Sequence, residues 1–484
     1  MKKILSLIAV LALAANLSAQ QWSLLVGNES KELKYKNNDT RHLFIGGDAD
    51  HFFMLRHNPK NDTDYLVCFD YNLQPLRQVE LKMGDNVTYL GGFLYGDIVS
   101  LMFSVQEGSS YQFFREQYDA ATLQPIGERT ERYSISHKNS RKLQTNSRTC
   151  QSGEWISMFY VIPDGKNTEA RVCLYDNELD EMWGMDVSLS GLDDYFVTDS
   201  GEIVLTSFYT SENEEGTTIE FTVLDGEREQ LFSCSDIPDS LYTIDIVKCA
   251  GDRIYCTGLL RGKQLDVLDD WSSGFFSLVY DVRQKKLVNY EKRMFSTTDI
   301  CRLCNVADRS YLQYTSADKM TFAASRYDSQ GTLVAYERFY NIRINGTYYQ
   351  SELGGLLLIR IDDEGHIQAS DVVRRQLACN TNTPGEGFTQ MIDADGTIHL
   401  VTIDNPKNIN NDGSRVCIRA DVGQSKSDIL LLRFDARGNV HRQYLKRPSG
   451  CINLSDCKAL NNGDYLMLFS SSFKSFAARL HHSR

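Results

Sequence analysis

Apolar residues in this chain come in short runs broken by Gly, Asn or Asp, and no stretch shows the three-to-four spacing of an amphipathic helix of ordinary length. Two kinds of hairpin alternate instead. The first joins two strongly apolar strands by a tight turn, as in YLGGFLYGDIVSLMFSV and DYFVTDSGEIVLTSFY. The second places an Asp after an aromatic or aliphatic residue, then a turn and a more polar strand, as in YLVCFDYNLQPLRQVEL, ARVCLYDNELDEMWGMDV and ILLLRFDARGNVHRQYL. That Asp is suited to cap its own turn, its carboxylate accepting hydrogen bonds from the amides that follow.

Turns of the first kind fall near Asp48, Asp97, Gly153, Gly201, Gly251, Asp308, Gly396 and Gly463, and the Asp of the second kind is Asp70, Asp119, Asp176, Asp225, Asp281, Asp328 and Asp435. A repeat of about 50 residues carrying four strands predicts an all-β chain folded as a single β-propeller. A lone four-stranded blade cannot bury both of its faces, so blades must stack around an axis. Eight inner hairpins predict eight blades, with seven the alternative. The last hairpin is followed by one strand only, SFAARLHH, and QWSLLVGN at 21–28 can supply the missing outer strand and close the ring. The weak point is the 88-residue gap between Asp308 and Gly396. It holds what reads as a normal outer hairpin, MTFAASRYDSQGTLVAYERFY, and a second one without an inner partner, so 341–386 is expected to be irregular or inserted.

The stretch LLLIRIDDEGHIQASDVVRRQ, followed by GFTQMIDADGTIHLVTIDNPKNINNDG, resembles a pattern in exported bacterial propeller-like proteins of unassigned function. The resemblance covers about a seventh of the chain and implies fold and address, with no catalytic residues attached. The N-terminus agrees on the address: Lys2 and Lys3, an apolar run from Ile4 to Ala15, and Leu17-Ser18-Ala19 form a signal peptide over 1–19, leaving a propeller domain at 20–484. The expected location is the periplasm, the cell surface or the extracellular space. Membrane insertion is not expected, because no later run reaches the length of a span. A formal net charge of −13 argues against nucleic acid as a partner, and nothing in the sequence bears on oligomeric state.

The twelve cysteines are too few for a disulfide scaffold in a chain of this length. Cys249 with Cys256, and Cys451 with Cys457, are pairs that an oxidising compartment could bridge. Cys301 and Cys304 sit in DICRLCNV, where strand spacing would put the thiols on opposite faces. Motifs for a nucleophile elbow, a zincin, a P-loop, a dinucleotide fold, Asp-box repeats, WD repeats and kelch repeats are all missing.

In a propeller the tight turns share one face, and the longer connections lie on the other. The long irregular segments 133–149, 260–274, 341–354, 376–387 and 404–427 therefore gather on one face, where binding residues concentrate. Arg141 and Lys142 belong to a local positive patch that also includes His137, Lys138 and Arg148. Arg261 and Trp271 suit a sugar ring or a protein interface. Asn405, Lys407 and Asn408 lie in the longest polar loop; there Asp404, Asn405, Asn408, Asn410 and Asp412 offer oxygen donors for Ca²⁺ without the spacing of a calcium loop. No metal ligand set is otherwise expected, and no cofactor. The expected function is an exported propeller that binds a protein or glycan through its long-loop face. The alternatives are a carbohydrate-active enzyme with paired carboxylates at the central channel and a structural component of an envelope or secretion assembly.

Overall fold

A computed structural model gives the architecture of the chain. It describes residues 22–30, 42–58, 63–81, 86–108, 110–136, 144–164, 167–189, 192–210, 216–261, 272–308, 319–344, 348–379, 389–394, 396–411, 413–421, 427–448, 451–452, 458–460, 463–470 and 475–483. The protein is an eight-bladed β-propeller of antiparallel four-stranded blades. In chain order blades 1 to 7 span 42–81, 87–136, 144–189, 194–237, 241–294, 319–373 and 390–445. Blade 8 combines short inner strands at 451–459 with Tyr465–Ser470 and Ser475–His482, and its outermost strand is Trp22–Val26 from the other end of the chain. Trp22 lies opposite His482 and Val26 opposite Ala478, so the ring is closed by the strand expected from 21–28. That pairing covers an edge that would otherwise be open to other chains.

Why these strands form blades follows from their two-sided apolarity. Strands that alternate apolar and polar residues bury one face, whereas runs such as His51–Asn58 bury both. Phe53 and Leu55 pack toward blade 2, while Phe52 and Met54 pack toward blade 8. Among the described residues there are eight apolar clusters, and each lies at one of the eight seams between neighbouring blades. The core is thus distributed around the ring, and removing one blade would strip two seams.

The turn chemistry repeats with the blades. Asp70, Asp119, Asp176, Asp225, Asp281, Asp362 and Asp435 each end or follow the third strand of blades 1 to 7, and each carboxylate accepts backbone amides of the turn after it. Blade 8 has no such turn, because its third and fourth strands are opposite ends of the chain.

Blade 6 corrects the sequence-based parsing. MTFAASRYDSQGTLVAYERFY is its inner hairpin, with Lys319–Asp328 paired to Gly331–Ile344. Its outer hairpin, Tyr348–Ile361 with Ile367–Val373, carries Asp362 at the turn. Asp308 is no inner turn; it follows the helix α1, Thr297–Leu303, in the connection from blade 5. Within the segment 341–386 expected to be irregular, residues 341–344 and 348–361 therefore belong to the prolonged middle hairpin of this blade, in register from Thr332↔Ile361 to Ile344↔Tyr348, and Ile367–Val373 is its outer strand. The charged groups that hold it are deeply buried. Arg360 pairs with Asp328 at 2.8 Å and donates to the Phe434 carbonyl of blade 7, and Arg375 pairs with Glu337 at 2.9 Å.

Candidate functional site

The turns within the inner and outer hairpins share one face, and the remaining connections share the other, as expected. The long-loop face is most elaborated over blades 5 to 7. There α1 opens with a capping box between Ser296 and Asp299, buries Cys301 and Leu303, and ends at Cys304. Cys301 and Cys304 are thus both buried on a short helix, not split across a strand. They are unbridged, as are Cys249 and Cys256; Cys457 lies outside the described residues.

Next to α1 stands the loop 404–421, which leaves the second strand of blade 7 at Asp404. It turns through a short 3-10 segment, Pro406–Asn408, capped by the Asn405 side chain. Asn408 donates to the Asp404 carboxylate and to the Ile418 carbonyl, and accepts from the Ile418 amide, each at 2.8 Å. Asn411 accepts from the Gly413 amide and donates to the Arg415 carbonyl. Asn305, just after α1, exchanges two hydrogen bonds with the backbone of Cys417. Below the loop, Tyr444 donates to Asp404 at 2.7 Å, and Arg442 donates to the Asn411 carbonyl. Burial pushes the Asp404 carboxyl above its usual range, against the lowering effect of Tyr444 and Asn408.

This accounts for the asparagines and changes their role. Asn405 and Asn408 are buried, and their amides are spent on the loop's own backbone, so they serve as loop scaffold instead of ligand donors. Among the described residues no group of three metal-ligating side chains converges. Lys407 is exposed. What the scaffold presents to solvent is aliphatic and cationic: Ile409 is 54% exposed, Val416 46% and Ile418 49%, flanked by Arg415 and by Arg419, which pairs with the buried Glu352 at 2.9 Å.

The other expected residues scatter. Arg261 is exposed at the long-loop end of the second strand of blade 5. Arg141, Lys142 and Trp271 lie outside the described residues. Arg148 does not join a loop patch. The segment 144–149 is the innermost strand of blade 3, exposed at each of its residues and without an apolar side chain. From it Arg148 reaches Asp194 of blade 4 at 2.6 Å and lies 4.2 Å over the Tyr195 ring. Asp194 also accepts from the Ile246 amide of blade 5. Burial raises Asp193 and Asp194, and burial together with Asp194 raises Asp245 to about 7, although Tyr336 donates to it at 2.8 Å. On the tight-turn face Gln151 exchanges two hydrogen bonds with the backbone of Tyr327, bridging blades 3 and 6 across the ring.

No family description and no curated relative matches the chain. Solved structures similar to it include an oligogalacturonate lyase from Vibrio parahaemolyticus, 11% identical, with 90% of this chain and 98% of that one covered at a TM-score of 0.36. A polysaccharide lyase is 10% identical, over 93% and 100% of the two chains, also at 0.36. The β-propeller domain of the Trilobed protease from Pyrococcus furiosus is 10% identical, over 84% and 96%, at 0.35. Likenesses at this level carry no argument about activity. The fold and its loops define an eight-bladed propeller with a braced cap over three blades.

Proposed function

We propose that the protein is an exported binding module that docks a protein partner on its long-loop face, over blades 5 to 7. The observation that carries this reading is the construction of the loop 404–421. Three buried asparagines and an anchor from Asn305 hold it, yet it leaves Ile409, Val416 and Ile418 half exposed beside exposed Arg415. Pre-ordered aliphatic side chains lose little entropy on docking, and exposed aliphatic side chains held by a rigid loop are a feature of interfaces. The exposed Arg415 favours an acidic partner surface. A fixed assembly in the envelope would use the same patch as a transient partner. Export rests on the N-terminal signal and is tested by sequencing the N-terminus of the mature protein, expected at Gln20.

The direct test places a photocrosslinking residue at Ile409 in the producing cell, with Met182 on blade 3 as the control position. A discrete adduct at 409 that disappears with Ile418→Asp supports the reading. Equal crosslinking at both positions, or none at 409, overturns it.

The channel supports a second reading, a carbohydrate-active enzyme. Asp194 and Asp245 lie near each other beside the exposed polar strand 144–149, and Asp245 is held protonated up to about pH 7, as a general acid requires. Release of sugar by the purified protein, abolished in Asp245→Asn, would favour this over the binding module.

A further inference from the structure

On the tight-turn side of the ring, a cleft of about 220 Å³ opens at the seam where blade 8 is closed. Its principal lining residues are Trp22 from the closing strand, His482 from blade 8, and His399, Arg433, His441 and Gln443 from three strands of blade 7. Although the chain as a whole is strongly acidic, no carboxylate is among the described residues that line this cleft; Asp435, which is not one of them, lies 3.6 Å from His441. Arg433 is half-buried and has neither an ion-pair nor a hydrogen-bond partner among the described residues. The indole N–H of Trp22 is buried and likewise unpaired. His399 packs against Trp22 with ring centroids 5.4 Å apart and against His482 at 6.1 Å. Its imidazole is pushed down to about 4, by burial first and then by the positive charge of His482 and Arg433. The Arg433 guanidinium and the Trp22 N–H thus border one small space whose described lining holds no carboxylate.

We infer that this cleft binds a small oxyanion, a carboxylate, phosphate or sulfate group, with the Arg433 guanidinium as its principal partner. A guanidinium donates in a planar fork that matches such groups. The space is smaller than the roughly 300–1,000 Å³ of sites for drug-sized ligands, which suits a free small anion or the charged end group of a larger molecule. An anion held there would touch blade 7, blade 8 and the closing strand together, so its binding free energy would add to the closure of the ring. This site lies on the face opposite the proposed docking loop and does not depend on it.

The test is thermal unfolding of the full mature protein titrated separately with inorganic phosphate, sulfate and acetate, with ionic strength held constant by chloride. The expected result is a saturable rise in Tm with at least one of the three, and the one that acts identifies the group. At a concentration of 100 Kd the folding equilibrium should shift about a hundredfold. Arg433→Gln should weaken the effect at least tenfold while leaving the unliganded Tm near that of the wild type. Should that variant fold poorly, the exposed His441→Gln gives a second comparison, with a smaller loss expected. No saturable stabilisation beyond chloride by any of the three, or equal stabilisation in variant and wild type, overturns the inference.

Discussion

Closure of the ring by the strand Trp22–Val26 makes a quantitative prediction for Trp22→Ala. Trp22 is 4% exposed and packs in the seam between blades 7 and 8 with Ile392, Val401, Met467 and Leu480. Its ring lies 4.8 Å from that of His482, directly across the strand pair. Truncation to Ala keeps the backbone ladder and removes only the side chain, leaving a cavity in a seam that neighbouring strands hold open. Loss of a buried Trp or Phe of this kind costs about 3–5 kcal/mol. Val26, on the same strand, is 44% exposed, and Val26→Ala should cost about 0.5 kcal/mol or less. Urea unfolding of the protein beginning at Gln20 separates the two cases, with an unchanged m-value expected for both. Equal midpoints for the two variants would refute the claim that this strand is a packed fourth strand of blade 8.

Arg360→Ala should destabilise by about 3–5 kcal/mol because it leaves Asp328 buried beside no cation, whereas Arg360→Met together with Asp328→Leu should recover much of that loss; chemical denaturation measures both. Asp245 holds its proton up to about pH 7 in the folded protein, while an ordinary Asp releases it near 3.8, so folding is favoured below that lower value and loses stability as pH rises through 7. After screening by solvent the loss should be about 2 kcal/mol, and Asp245→Asn should flatten this part of the stability–pH curve. Asn408→Ala removes three hydrogen bonds of the loop and should cost about 2–3 kcal/mol of local stability, seen as faster amide exchange at 417 and 418 with little change in global unfolding.

The propeller and its closing strand were legible because they rest on patterns that repeat. Two-sided apolar hairpins and an Asp that caps the outer turn recur from blade to blade, so one misplaced hairpin does not change the count. Blade 6 was misread for a physical reason: its inner hairpin ends in a Tyr-Asp turn, and Asp328 accepts the Gln330 amide just as the outer-turn aspartates do elsewhere. The candidate site was less legible. The location of the 404–427 loop follows from its polarity and length, but composition does not reveal whether an asparagine amide points to solvent or to its own backbone. The innermost strand of blade 3 reads QTNSRT, without the apolar alternation that marks a half-buried strand, because it is exposed along its whole length. Arg148 therefore passed for a loop residue, and its pairing with Asp194 arises only when blades 3 and 4 are brought together. The short α1 escaped notice because its seven residues are too few to show a helical period, although the Ser296–Asp299 spacing is its one local signal.

The docking function proposed for the long-loop face depends on the loop 404–421 being held rigid before any partner arrives. Hydrogen–deuterium exchange of the free protein measures that directly. The amides of Gly413, Cys417 and Ile418, each donated to a buried Asn side chain, should be protected to a degree approaching that of the blade 7 strands. Exchange of these three amides as fast as in an unstructured peptide would show that the loop is not pre-ordered, and the docking surface built on it would fall.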